Sequence, residues 1–471
     1  MVFISAGPTN FPAVVDAAKI KRMIADNYVR SYVKVKEPPT TLVKQLGFLG
    51  PGFVLSASIV GSGELIATTI LGAKAGFILF WIIILSCLVK VAIQVEFGKK
   101  AIVTGETPMR SFSKLRGPGL AKGKWTVWIV FIFTSLKILQ VGGMIGGSAL
   151  VLNMLFPRLP VSAMIVVLAL LVSLLIHKNY YRFIEKVSLV MVVAFTALTI
   201  TSLVAVSLTD FRFSVADVAS GLCFDLPSHL VMYAIGAFGI TGVASDEIIA
   251  YNYWCIEKGY AVYAGPADNS EAWKKRAHGW IKVMRLDAFI AMLIYTAVTA
   301  SFYLLGASIL HSRMEVPEGN ELIAVLANIY TQSLGEGIRI GYLVGAFFVL
   351  FSSVFATLAY WTRLFADIFG QLGWIDFTDI KSRQIVISVL AWVFPAVWGV
   401  TYLLIELPVI MILSGGIVGS LLLLLVVFAA LSFRYAANEH VIKSSLAYDV
   451  LLWCSISSIL LVAGYVVIKF I

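Results

Sequence analysis

Long apolar stretches separated by short polar ones occupy the chain from residue 49 onward. They fall at roughly 49–72, 77–99, 125–156, 161–177, 184–208, 228–256, 283–311, 338–370, 384–403, 405–433 and 447–470. Coiled as a helix, each run is long enough for about 30 Å of hydrocarbon. The pattern therefore predicts an all-α polytopic membrane protein with eleven transmembrane helices.

Two of these runs contain residues that a lipid-spanning helix avoids. The first holds Gly61, Ser62, Gly63 and Glu64. Glycine weakens a helix and bares its backbone. A carboxylate at membrane depth is costly and so points to function. The sixth run repeats the theme, with Ala244-Ser245-Asp246-Glu247-Ile248-Ile249-Ala250 echoing Gly61-Ser62-Gly63-Glu64-Leu65-Ile66-Ala67. Spans one to five would form one repeat and spans six to ten a second. Five is odd, so the two cross the membrane in opposite senses. This predicts a 5+5 inverted repeat plus one extra helix, with helices 1 and 6 broken at the midplane, the plan of a transporter site. The divisions are an arm (1–47), a first repeat (48–208), a second repeat with its loops (209–434) and an eleventh helix (435–471).

Composition agrees with this reading. The chain is 60% hydrophobic and 13% charged, with mean hydropathy +0.92, which excludes a soluble globular domain. The net charge of +10 reads as topology, since cytoplasmic loops collect Lys and Arg. Basic residues precede span one and follow spans two, four, six, eight and ten. Asp210, Asp217, Asp225, Glu315, Glu318 and Glu321 fall in the alternate loops. The N-terminus is then cytoplasmic and the C-terminus outside, in a plasma or inner membrane. The bilayer is the expected partner; nucleic acid is not. The arm carries either an amphipathic helix over Val14–Val33 or a loosely ordered tail. Cys87, Cys223, Cys255 and Cys454 form no CxxC and read as small apolar residues.

Glu64, Asp246 and Glu247 are the candidate metal ligands, with freed backbone carbonyls completing an oxygen shell. Asp246 is the first choice of the adjacent pair, which point about 100° apart on a helix. Pairing of Glu64 or Glu247 with a basic group is the competing reading. Ser62, Ser245 and Thr241 offer hydroxyls, or else cap helix ends. Lys137, with Gln140, lies in the third span, as a counter-charge in place of a coupling ion or as the partner of one of the acids. Lys90 is a further charge at membrane depth. Glu96, Asp287, Arg363 and Asp367 sit nearer span ends, where snorkelling or pairing is expected. Gly142, Gly143, Gly146 and Gly147 read as a close-packing face. No HExxH, Walker or GxSxG motif occurs, and the five histidines fall in loops or at span ends, so neither an enzyme nor a cofactor is expected.

Gly50-Pro51-Gly52-Phe53, the break, and Gly72-Ala73-Lys74-Ala75-Gly76 together resemble the opening of the Nramp divalent-metal transporters. Leu79-Phe80-Trp81, Leu85-Ser86, Gln94, Ile102-Val103-Thr104-Gly105 and Leu152-Asn153-Met154-Leu155-Phe156 extend the likeness. Arg285-Leu286-Asp287 and Ser352-Ser353 carry it further, so that it spans about 45 to 435. The resemblance implies the LeuT/APC fold. The site departs from the family. Where the family has Asp-Pro-Gly-Asn, this chain has Gly61 to Glu64. Where it has Met-Pro-His, this chain has Val243, Ala244 and Ser245. Ser135, Lys137 and Gln140 stand where the third helix carries acids.

A thioether selects softer metals, and Val243 has none. The expected cargo is therefore a hard divalent cation such as Mg²⁺ ahead of Mn²⁺ or Fe²⁺. A coupling ion, H⁺ or Na⁺, is left open. The alternative cargo is an amino acid, amine or other small organic solute held at the Gly-Ser-Gly break. A membrane sensor without transport is a third reading.

Overall fold

A computed structural model describes residues 26–61, 63–120, 123–178, 181–312, 324–325, 331, 339–435 and 446–470. Ser62, most of the Val14–Val33 segment and the acids Glu315, Glu318 and Glu321 lie outside them. Over residues 26–33, the described part of the Val14–Val33 segment, there is no α-helix but turns leading into one 3-10 turn at Tyr32–Lys34; a short α-helix, Leu42–Leu46, closes the arm.

The first span is built from two pieces. Helix α1 (Pro51–Ile59) is followed by a π-helical turn (Gly63–Thr68) and α2 (Thr69–Ala75). The two parts are bent by 45°. Next come α3 (Phe80–Thr104), α4 (Trp125–Leu136), α5 (Ile138–Leu155), α6 (Val161–Ile176) and α7 (Tyr181–Val206). Helices α4 and α5 are one run kinked at Lys137.

The second half begins with another interrupted pair, α8 (Val231–Ile240) and α9 (Ser245–Lys258). It continues through α10 (Glu271–Leu305), α11 (Arg339–Gln371), α12 (Ile380–Ile405), α13 (Pro408–Tyr435) and α14 (Leu446–Phe470). Ser270 and Asp379 cap α10 and α12, accepting from the Trp273 and Ser382 N–H groups at 3.1 Å each; such caps satisfy donors that a helix start leaves open. Among the described residues, eight helical runs are long and apolar enough to cross a bilayer, and the bent first pair makes a ninth. Val161–Ile176 and Leu446–Val462 are shorter apolar helices.

Two groups of helices follow from the packing. Helix α5 is the hub of one, with α6, α11, α12 and α13 along it; α3 is the hub of the other, with α9, α10 and α14. Helix α1 touches both groups, through α7, α10 and α11. The small face of α5 is used as expected. Gly142 lies against Trp398 and Met411, and Gly146 lies against the Tyr402 ring. No room is left there for a side chain, and close helix approach is the result.

Of the charges expected near span ends to snorkel or pair, Arg363 is buried and ion-paired, and Asp287 and Asp367 are buried and hydrogen-bonded. Arg363 holds Glu257 bidentately at 2.6 and 2.9 Å. Asp287 accepts from the Gly50 and Gly52 N–H groups at 2.8 and 2.6 Å and from the Tyr251 hydroxyl at 2.9 Å. It therefore caps the start of α1. Asp367 accepts from the Tyr253 hydroxyl at 2.7 Å.

Candidate functional site

The two interruptions lie side by side in the interior. At the first, Gly61 accepts the Leu65 N–H at 2.8 Å and brings the chain against α11. A methyl group on Gly61 would collide with the Ser353 hydroxyl, which donates to the Ser58 carbonyl at 2.8 Å. Gly63 opens the π turn, and Glu64, fully buried, is carried on it.

At the second, α8 stops at Ile240. Thr241 and Ala244 are extended, and Gly242 has φ +63°, a conformation that suits glycine. The Gly242 N–H donates to Glu64 Oε1 at 3.2 Å. The Ala244 N–H donates to Glu247 Oε2 at 2.8 Å, the reach-back half of a capping box. Glu247 Oε1 accepts from the Ser58 hydroxyl. Two glutamates, one from each half, thus hold backbone donors two residues apart in one break. Val243 is buried between those donors.

Asp246 behaves differently. It lies in the first turn of α9, not inside the break. It forms a buried ion pair with Lys137, at the kink between α4 and α5, and accepts from the Tyr360 hydroxyl at 2.5 Å. Lys137 is thus paired with one of the acids, and the three carboxylates expected as a metal cage are divided, Asp246 being taken by Lys137. The described residues hold no group of three or more His, Cys, Asp or Glu placed to bind a metal ion. The physical reason is the 100° between neighbouring helical positions. It sends Asp246 toward Lys137 while Glu247 turns back to its own helix end.

A small cavity of about 20 Å³ lies among these groups, lined by Ser58, Lys137, Gln140, Asp246, Glu247 and Tyr360; that is room for about one water or one bare ion. Met144 and Ala244 also border it. Three buried oxygens near the breaks have no hydrogen-bond partner among the described residues: Glu64 Oε2, Gln140 Oε1 and Ser245 Oγ. Thr241 does not contribute its hydroxyl to the cavity; it donates to Ser86 Oγ at 3.0 Å.

No role at the breaks for Lys90, Ser86, Ser58 or Tyr360 follows from the sequence alone. The Lys90 ammonium reaches the second break, donating to the Phe238 carbonyl and, at 2.8 Å, to the Thr241 carbonyl. A lone lysine in the otherwise apolar middle of the second span was the available signal.

The profile of the family described as "Natural resistance-associated macrophage protein-like" matches residues 52–469. The chain belongs to the Nramp family. Nramp proteins are transporters, not enzymes. An uncharacterized protein of Pasteurella multocida is 27% identical over 331 residues, 66% of each chain. The divalent metal cation transporter MntH of Mycobacterium tuberculosis is 28% identical over 163 residues, 34% of this chain and 37% of that protein. The matched stretches thus span just under two thirds of the first of these relatives and little more than a third of the second. Among solved structures, the Eremococcus coleocola manganese transporter superposes with TM-score 0.67 at 17% identity, covering 91% of this chain and 88% of that one. Mhp1, a nucleobase-cation-symport-1 family transporter, gives 0.58 at 13% identity, covering 89% and 92%. This Nramp chain therefore has the LeuT-type fold of an integral membrane protein.

Proposed function

We propose that this chain moves a divalent cation across the membrane by alternating access, with a hard ion such as Mg²⁺ preferred to Mn²⁺ or Fe²⁺. The observation that carries this reading is Glu64 Oε2, a fully buried carboxylate oxygen with no hydrogen-bond partner among the described residues. Such an oxygen is costly unless a cation or proton meets it. Unpartnered Gln140 Oε1 and Ser245 Oγ add to an oxygen-rich set, which hard cations favour. Glu64 and Glu247 bind the cargo; Asp246 holds Lys137, which supplies a fixed positive charge where a second cation would otherwise sit. Met144 places one thioether at the cavity wall, so softer ions belong in the test.

A second reading rests on the Lys137–Asp246 pair. Opposite charges side by side suit a small zwitterion, an amino acid for example. A cavity of about 20 Å³ is far below the roughly 300 Å³ of small-molecule pockets, which favours the ion.

Uptake into proteoliposomes separates the two. The panel is Mg²⁺, Mn²⁺, Fe²⁺ and a set of amino acids and amines, with wild type, Glu64→Gln and Glu247→Gln. Metal uptake lost in both variants is the expected result. Uptake of an organic solute alone, with no metal signal, overturns the cation reading.

A further inference from the structure

We propose that Lys90 is a tethered monovalent cation, filling a cation site at the second break that a free ion such as Na⁺ would otherwise occupy. The last carbonyls of any helix are left without intrahelical donors. At α8 this is pronounced. The Gly242 N–H, which in a continuing helix would return to the Phe238 carbonyl, is given to Glu64 instead. The Phe238 carbonyl is thereby freed, and Thr241 leaves the helix with its carbonyl facing the same point. The Lys90 ammonium takes both oxygens. The Ser86 hydroxyl lies against the same two, at 3.0 Å from Phe238 O and 2.9 Å from Thr241 O. The Phe238 ring face adds a cation–π contact at 4.7 Å.

The surroundings are those of an ion site rather than of a salt bridge. Lys90, Ser86 and Thr241 are completely buried. Among the described residues no carboxylate comes within ion-pair distance of Lys90; Glu64 and Glu247 act on it only at longer range. Carbonyls at the C-terminal end of a half-helix favour positive charge. In transporters with broken helices such ends coordinate Na⁺ or H⁺. Here α3 delivers the charge covalently. One peptide unit is held from both ends: its carbonyl, on Thr241, by Lys90, and its N–H, on Gly242, by Glu64. The consequence is a carrier whose second break is held in shape without a dissociable monovalent ion.

The test reads binding by thermal unfolding of purified full-length protein in detergent, so it does not depend on which cargo is carried. Salts are NaCl, methylammonium chloride and choline chloride at equal ionic strength. The wild-type midpoint should be the same in all three. Lys90→Ala should unfold at a lower temperature. Na⁺ or methylammonium should then raise its midpoint by about 2 °C or more, saturating with concentration as a bound ligand does. Lys90→Met fills the space without charge and should gain nothing from either cation. A wild type stabilised by Na⁺ as strongly as Lys90→Ala overturns the proposal, and so does a Lys90→Ala protein indifferent to all three salts. Should Lys90→Ala not fold, Lys90→Gln serves in its place, and the wild-type comparison still decides.

Discussion

Asp246 and Glu247 are chain neighbours with opposite fates, and the difference is one helical step. Asp246 shares Lys137 and Tyr360 with the kinked third span. Removing one member of a buried ion pair strands the other charge, at a cost of about 3–5 kcal/mol. Lys137→Met should therefore lower stability in urea denaturation by about that amount. The double change Lys137→Met with Asp246→Asn should recover much of the loss. A double variant that loses as much as the Lys137→Met and Asp246→Asn losses added together would mean that the pair is not coupled. Glu247 is held by a backbone N–H and a serine, with no basic hydrogen-bond partner among the described residues. Glu247→Gln should accordingly cost less than about 2 kcal/mol in the same assay, while abolishing uptake.

Each interrupted helix depends on a backbone that a side chain would spoil. At Gly242 the positive φ is strained for any L residue, and an added Cβ would sit 2.9 Å from Cys87 Cα. Gly242→Ala should destabilise by more than about 1 kcal/mol and lower transport, read as unfolding midpoint and uptake rate. An unchanged midpoint would show that the break can relax. The breaks were legible in the sequence because glycines and acids inside an apolar run admit few other readings. The span limits were less legible: the seventh apolar run starts at about 283, whereas α10 starts at Glu271 behind Ser270, because its first turns are polar. What Lys90 and Lys137 touch was not legible. Lys137 meets a group 109 positions away, and Lys90 meets carbonyls about 150 positions away. Helical periodicity gives the face of a residue, not the loop opposite it. Of the two readings of Val14–Val33, the helical one does not hold over residues 26–33, where Asn27, Tyr28 and Arg30 bond to other elements instead.

At the scale of the whole molecule those arm contacts act as a strap. Asp26 pairs with Arg383 on α12 at 2.8 Å, and Asn27 and Tyr28 bond Glu257 on α9, each at 2.7 Å. Arg30 reaches the Ile102 carbonyl of α3 at 2.6 Å. The strap joins helices of both packing groups, whose relative motion alternating access requires. Deleting residues 1–38 should make the buried Cys255 react several-fold faster with a small maleimide, in a Cys223→Ser, Cys454→Ser background read by mass spectrometry. An unchanged rate would mean that the strap does not restrain opening.

On the proposed function, the two interior lysines also govern how transport responds to voltage. By formal charge Glu64, Asp246, Glu247, Lys90 and Lys137 sum to one negative in the unloaded centre, and a divalent load turns the sum to one positive. Both half-cycles then carry charge through the field, each coupled to the membrane potential by about 2.3 kcal/mol per 100 mV. A potassium diffusion potential, negative inside the vesicle, should accelerate whichever of the two steps limits turnover. Neutralising either lysine leaves the unloaded centre at two negative and the loaded one neutral, so the potential should then act on the unloaded step alone.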